Sequence, residues 1–174
     1  GKGRASGADS FGAAITNNTS TYGASYANAI AMGKQAKSAG TGAIAIGRNA
    51  QASATGAMSF CSSYANYGNV SSGSNSVTMG DGNLASATSS MATGYGSKAD
   101  IEGKCVHANG SFSDGNAEGS AQRGAFVLRC DTTDATSEAL RTSNGAASTT
   151  NQIILPNNSA FAFSGTIVAR QQAS

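Results

Sequence analysis

A chain of 174 residues, 11% charged and with a formal net charge of +2, is neither strongly basic nor strongly acidic. Its Lys and Arg are scattered, which excludes the clustered cationic face that nucleic-acid phosphates require; the densest group, Lys34, Lys37 and Arg48, reads as exposed turn positions. No apolar run is long enough for a membrane-spanning helix, and the opening Gly1-Lys2-Gly3-Arg4 reads as a processed chain or an internal stretch of a longer one.

The hydrophobic fraction of 39% is largely Ala, which buries little area, and the larger apolar residues are sparse but ordered. Phe11 opens a series that continues through Ala29-Ile30-Ala31-Met32-Gly33, Ala43-Ile44-Ala45-Ile46-Gly47, Ala57-Met58-Ser59-Phe60-Cys61, Val77-Thr78-Met79-Gly80 and Met91-Ala92-Thr93-Gly94. A short fixed period predicts stacked coils. With Phe11, Met32, Ile46, Phe60, Met79, Thr93 and His107 as register marks, the intervals are 21, 14, 14, 19, 14 and 14. The two long intervals predict surface loops inserted at Asn17 to Tyr26 and Ser62 to Ser74, both rich in Ser, Asn, Tyr and Gly.

Each coil holds two period-two segments, the mark of strands with one buried face. The first is Ile44-x-Ile46 and its equivalents. The second carries smaller residues, as in Ala50-x-Ala52-x-Ala54, Ala85-x-Ala87 and Ala99-x-Ile101. Between them stand corner signals, Gly47-Arg48-Asn49, Gly80-Asp81-Gly82-Asn83 and Gly94-Tyr95-Gly96-Ser97. A helix is excluded by the recurring Gly and by apolar alternation in place of i, i+3, i+4 spacing.

The repeat decays at Cys105-Val106-His107-Ala108, and Asn109 to Ser120 reads as a linker. Ala125 to Arg129, Gln152 to Leu155 and Phe161 to Arg170 then predict longer strands of a separate β unit, with a turn at Pro156-Asn157-Asn158. The expected organisation is a repeat region over 1–110, a linker over 111–120 and an incomplete C-terminal β domain over 121–174.

One Ala-lined coil cannot offset the cost of ordering its backbone. Two large residues contribute about 1.5–3 kcal/mol each when fully buried, against roughly 1–2 kcal/mol per ordered residue. The deficit predicts an obligate homo-oligomer whose shared core is Ile30, Met32, Ile44, Ile46, Met58, Phe60, Val77, Met79 and Met91.

The run from Ala43 to Ala52, Ala-Ile-Ala-Ile-Gly-x-x-Ala-x-Ala, closely resembles the head repeats of trimeric autotransporter adhesins, which also occur in bacteriophage tail fibres. The resemblance covers roughly residues 8–110. It implies an all-β fold, a left-handed parallel β-roll packed as a homotrimer about a threefold axis, with the C-terminal unit forming a small β-sandwich-like domain. Cys61 departs from it by replacing the turn Gly, and Thr93 by weakening the inward strand. The string from Gln122 through Phe126-Val127-Leu128-Arg129 and Thr132-Thr133-Asp134-Ala135-Thr136 to Leu155-Pro156-Asn157-Asn158-Ser159-Ala160 resembles C-terminal regions of phage tail fibres. Together these imply an adhesive fibre segment of a virion tail. Its partners would be other tail proteins and a host-surface polysaccharide or protein, with no nucleic acid and no membrane insertion. The alternative is the head of a bacterial autotransporter on the cell surface, and a polysaccharide-degrading spike comes third.

Chemistry is thinly signalled. His107 is the lone histidine, and in a trimer three such rings converge near Cys105, where an axial metal or anion is conceivable; the simpler reading is a polar ring in a terminal coil. One His with no strand-turn-helix around a Ser gives no triad. Asp131, Asp134 and Glu138 are the carboxylates a glycosidase would need, but their Thr/Asp/Ser context reads as a solvated turn. The Gly-rich corners lack the helix and Lys of a phosphate loop, so neither enzyme nor cofactor is expected. Cys61, Cys105 and Cys130 fit no disulfide framework or zinc motif and read as buried, reduced thiols. Tyr22, Tyr26, Tyr64 and Tyr67 fall in the two insertions, either as receptor contacts or as covers for adjacent coils. The sequon at Asn69-Val70-Ser71 is expected by chance in an Asn- and Ser-rich chain.

Overall fold

A computed structural model describes residues 4–15, 21–63, 68–112, 118–155, 157 and 159–169. Among these there is no helix, and the strands are, in chain order, β1 (Phe11–Ala13), β2 (Gly23–Ala24), β3 (Ile30–Met32), β4 (Lys37–Ser38), β5 (Ile44–Arg48), β6 (Gln51–Ala52), β7 (Met58–Ser62), β8 (Val70–Ser71), β9 (Val77–Asp81), β10 (Leu84–Ala85), β11 (Met91–Tyr95), β12 (Lys98–Ala99), β13 (Cys105–Asn109) and β14 (Gln122–Ala125). The odd-numbered strands and β14 form an eight-stranded sheet in the order β1-β3-β5-β7-β9-β11-β13-β14. The short even-numbered strands β2 to β12 form a six-stranded sheet. The result is a β-solenoid of about six turns, consistent with a β-roll. Every pairing is parallel except β13 with β14.

The alternation of the sequence becomes an inner and an outer face. Gly12, Ala31, Ala45, Ser59, Thr78, Ala92 and Val106 stack in register, and from Ala31 to Val106 all are buried. Their small size sets a narrow lumen. An Ala cluster fills the first coils and a second, with Val106, fills the last. Between them lies a layer of hydroxyls. Thr78 donates to Ser59 Oγ at 3.2 Å and Ser59 donates to the Asn69 carbonyl at 3.2 Å. Ser71 donates to the Met58 carbonyl. The hydroxyls of this layer thus find partners, as burial demands.

The corners repeat in conformation as well as composition. At the C-terminal end of β3, β5, β9 and β11 a glycine of positive φ recurs, at Gly33, Gly47, Gly80 and Gly94, with Cys61 at the equivalent place in β7. A Cβ at Gly47 would sit 1.7 Å from the Cys61 carbonyl oxygen, so glycine is required both by φ and by the coil stacked above. The opposite corner is left-handed at Asp9, Asn28, Gly42, Gly56, Asn75, Ser89 and Gly103. Asn is one of the few side-chain-bearing residues that tolerates this region.

That second column corrects the register. Phe11 pairs with Ile30, and Met32 pairs with Ala13. Phe11 therefore belongs beside Ile30 and Ile44, not in the column of Met32. The first long interval is 19, from Phe11 to Ile30, matching the 19 from Met58 to Val77.

The end of the roll also differs from expectation. The segment expected to begin a separate unit at Ala125 starts earlier, as β14, and pairs antiparallel with β13 inside the roll's own sheet. The short-strand edge is closed by a side chain. Gln122 Oε1 accepts from Lys98 N at 2.8 Å and its Nε2 donates to Lys98 O at 3.0 Å, as a neighbouring strand would. The last corner is closed by the loop at 142–151, where Glu102 N donates to Thr150 O at 2.8 Å. Buried Asn151 organises that loop by accepting from Ser148 N and donating to Ala146 O.

Among the described residues the strands expected at 125–129, 152–155 and 161–170 are not formed. Among the described residues past Ala125 there is only an isolated antiparallel bridge, Arg129 with Arg141. Val127, Ile154, Leu155, Phe161, Phe163, Ile167 and Val168 are exposed. Alternating apolar residues supply strand propensity, but a strand exists only where a partner completes its hydrogen bonds. Among the described residues no β-sandwich-like domain is therefore seen. Pro156, Asn158 and Arg170 lie outside the described residues.

Candidate functional site: the outer face of the long sheet

The side chains that alternate with the buried column point out of the roll. In register they form two adjacent columns. One runs Phe11, Ile30, Ile44, Met58, Val77, Met91, Cys105, Ala125. The other runs Ala13, Met32, Ile46, Phe60, Met79, Thr93, His107, Arg123. All nine residues expected in an oligomer core fall in these columns, and none is buried by its own chain. Met79 is 49% exposed and Met32, Ile46, Met58 and Met91 are exposed with it. A contiguous apolar stripe of this kind marks an interaction surface.

The column changes character toward its end. Phe60 and Met79 give way to Thr93, His107 and Arg123. Thr93 donates its hydroxyl hydrogen to the Val106 carbonyl at 3.1 Å. Its oxygen is then an acceptor for His107 Nδ1–H, 3.0 Å away. This fixes the orientation of the exposed imidazole. Cys105 is exposed in the neighbouring column.

A second polar column runs inside the corner. Cys61 Sγ accepts from Asn69 N at 3.4 Å, Asn69 Oδ1 from Asn83 N at 3.0 Å, and Asn83 Oδ1 from Ser97 N at 2.9 Å. Asn83 Nδ2 also donates to the carbonyls of Met79 and Gly94. The rungs staple successive coils. Cys61 thus takes the place of the corner Gly by lending its sulfur to the ladder. The same geometry removes the sequon, because Asn69 is buried with its amide committed.

The tyrosines divide. Tyr22 is partly buried against the Ala cluster and covers the first coils. Tyr26 is exposed at 52%. Tyr64 and Tyr67 lie outside the described residues. Tyr95, exposed on β11, belongs to the same surface class and was hidden in sequence because it reads as part of a corner. The expectation of three buried thiols holds for Cys61 alone; Cys105 is exposed and Cys130 half-buried, since neither stands in an inward column.

Among the described residues no catalytic constellation assembles. Asp131, Asp134 and Glu138 project from an exposed loop. Hydrogen bonding from the Thr136 side chain, together with its amide donating at 2.7 Å, holds the Asp134 carboxyl below the ordinary value, opposite to what a general acid needs. Among the described residues no three His, Cys, Asp or Glu side chains cluster as metal ligands. Nor is any helix long and apolar enough to cross a membrane.

Residues 27–50, 38–60 and 71–97 match the family model of the YadA head domain repeat. The matched stretches cover the coils from β3 to β7 and from β9 to β11, whose repeats are similar to those of the YadA head. No curated protein and no solved structure matches the chain.

Proposed function

We propose that this chain is a non-enzymatic, adhesive structural element that works as a homotrimer outside the cell, each roll laying its apolar stripe against two copies of itself. The observation that carries the reading is the coincidence of YadA head repeats with an exposed stripe of Ile, Met, Phe and Val. Mechanism is stiffness with multivalency. A roll stapled by ladder bonds presents three equivalent surfaces, and weak contacts gain through high effective concentration. Tyr26, together with Tyr64 and Tyr67 in the second insertion, supplies amphipathic contact groups for a host polysaccharide or protein.

The setting we favour is a phage tail fibre, supported by the likeness of residues 122–160 to C-terminal fibre segments. The head of a bacterial autotransporter is equally consistent with the repeats. An antibody raised against the roll separates the two. Labelling of virion tails and inhibition of adsorption are expected; labelling of uninfected cells alone would overturn the phage setting and leave the adhesin. Replacing Tyr26, Tyr64 and Tyr67 by Ser is expected to weaken adsorption, and unchanged adsorption would remove them as contacts.

A further inference from the structure

We infer that Arg123 and His107 form an oxyanion-binding site where three chains meet at the end of the apolar seam. The inference rests on the trimer reading. His107 and Arg123 are cross-strand partners in the antiparallel pair of β13 and β14, so their side chains share the outer face and stand close together. Both are exposed. They continue the column whose earlier members, Met32, Ile46, Phe60 and Met79, form the stripe proposed to face the axis. Whatever brings those residues together brings three guanidiniums and three imidazoles together one step further on.

Such a cluster needs an anion. Among the described residues the ion pairs are those of Asp100 with Lys98 and Lys104, and no carboxylate pairs with Arg123. Like charges converging at the mouth of a dry seam repel with little screening. The guanidinium fork matches the oxygens of a tetrahedral oxyanion. Thr93 contributes by positioning. It accepts the Nδ1–H and so fixes the imidazole on the face it shares with the guanidinium. The same guanidinium works against a metal cation at this place. A phosphate- or sulfate-type ion is the ligand that fits.

The test is isothermal titration of the purified protein, in a HEPES-chloride buffer of fixed ionic strength, with sodium phosphate and with sodium sulfate. The molar mass of each sample is measured in parallel. One oxyanion bound per three chains is expected. Affinity should fall by roughly tenfold or more in Arg123→Gln and by less in His107→Gln. If Arg123→Gln does not assemble, Arg123→Lys keeps the charge, loses the fork and should still bind more weakly. A trimer that takes up neither ion, or whose binding is unchanged in the Arg123 variants, overturns the site and leaves the trimer intact. A folded single chain overturns both.

Discussion

The roll and the tail that follows it are made from similar residues, yet they meet opposite fates in one chain. From Phe11 to Ala125 the backbone finds partners at every long strand, while the large apolar side chains of the two outward columns stay outside. From Phe126 to Ala169 strand-forming residues such as Ile167 and Val168 have neither ladder nor burial. The difference is register. The roll repeats its corner every 14 or 19 residues, from Asp9 through Asn28, Gly42, Gly56, Asn75 and Ser89 to Gly103, so each strand is delivered onto the one before. The tail has no period and nothing delivers its segments to an edge. Ladder formation and the burial of large apolar side chains are thus separable: the roll has its ladder while its outward columns stay exposed, and the described tail residues have neither.

The comparison can be broken most violently at a corner. Gly47→Val forces a β-branched residue into φ near +105° against the Cys61 carbonyl. It is expected to cost about 4 kcal/mol or more and to unfold the roll, read by circular dichroism in denaturant. Next comes Ile46→Ala. It should cost about 2–4 kcal/mol if the stripe is a subunit core but under about 0.5 kcal/mol if it is a free surface, as denaturation midpoints will report. Asn83→Ala leaves the Ser97 amide and the Met79 and Gly94 carbonyls short of a partner. A loss of about 2–3 kcal/mol is expected, with faster hydrogen exchange at Ser97. Gln122→Ala opens only the last rung and should cost about 1 kcal/mol, with exchange rising at Lys98. Smallest is Ile167→Ser, expected to leave the roll's unfolding midpoint unchanged because Ile167 is 95% exposed there.

Much of the roll was legible because its signal is periodic. The corner glycines and the alternation of Ile44-Ala45-Ile46 locate both the strands and their outward face. What escaped the sequence was whatever needed a second segment to define it. Phe11 was set in the wrong column because one apolar residue cannot fix its register; the corner at Asp9 does. Gln122 gave no hint of imitating a strand, since that role exists only beside Lys98. The Asn69–Asn83–Ser97 ladder hid inside a turn signal, where Asn is expected for other reasons. The tail's strands were read from propensity, which names residues able to pair without naming a partner. Of the candidate site, the apolar columns were foreseen, whereas their cationic end at Arg123 depends on an antiparallel return that no repeat announces.

The central claim is that the outer stripe is the core of an assembly. Its most direct test is the molar mass of the folded protein by light scattering. Three times the 17.1 kDa chain is the predicted result, falling toward one chain when Ile46 and Met79 are both replaced by Asp. A folded, soluble species at 17.1 kDa with the stripe intact would contradict it.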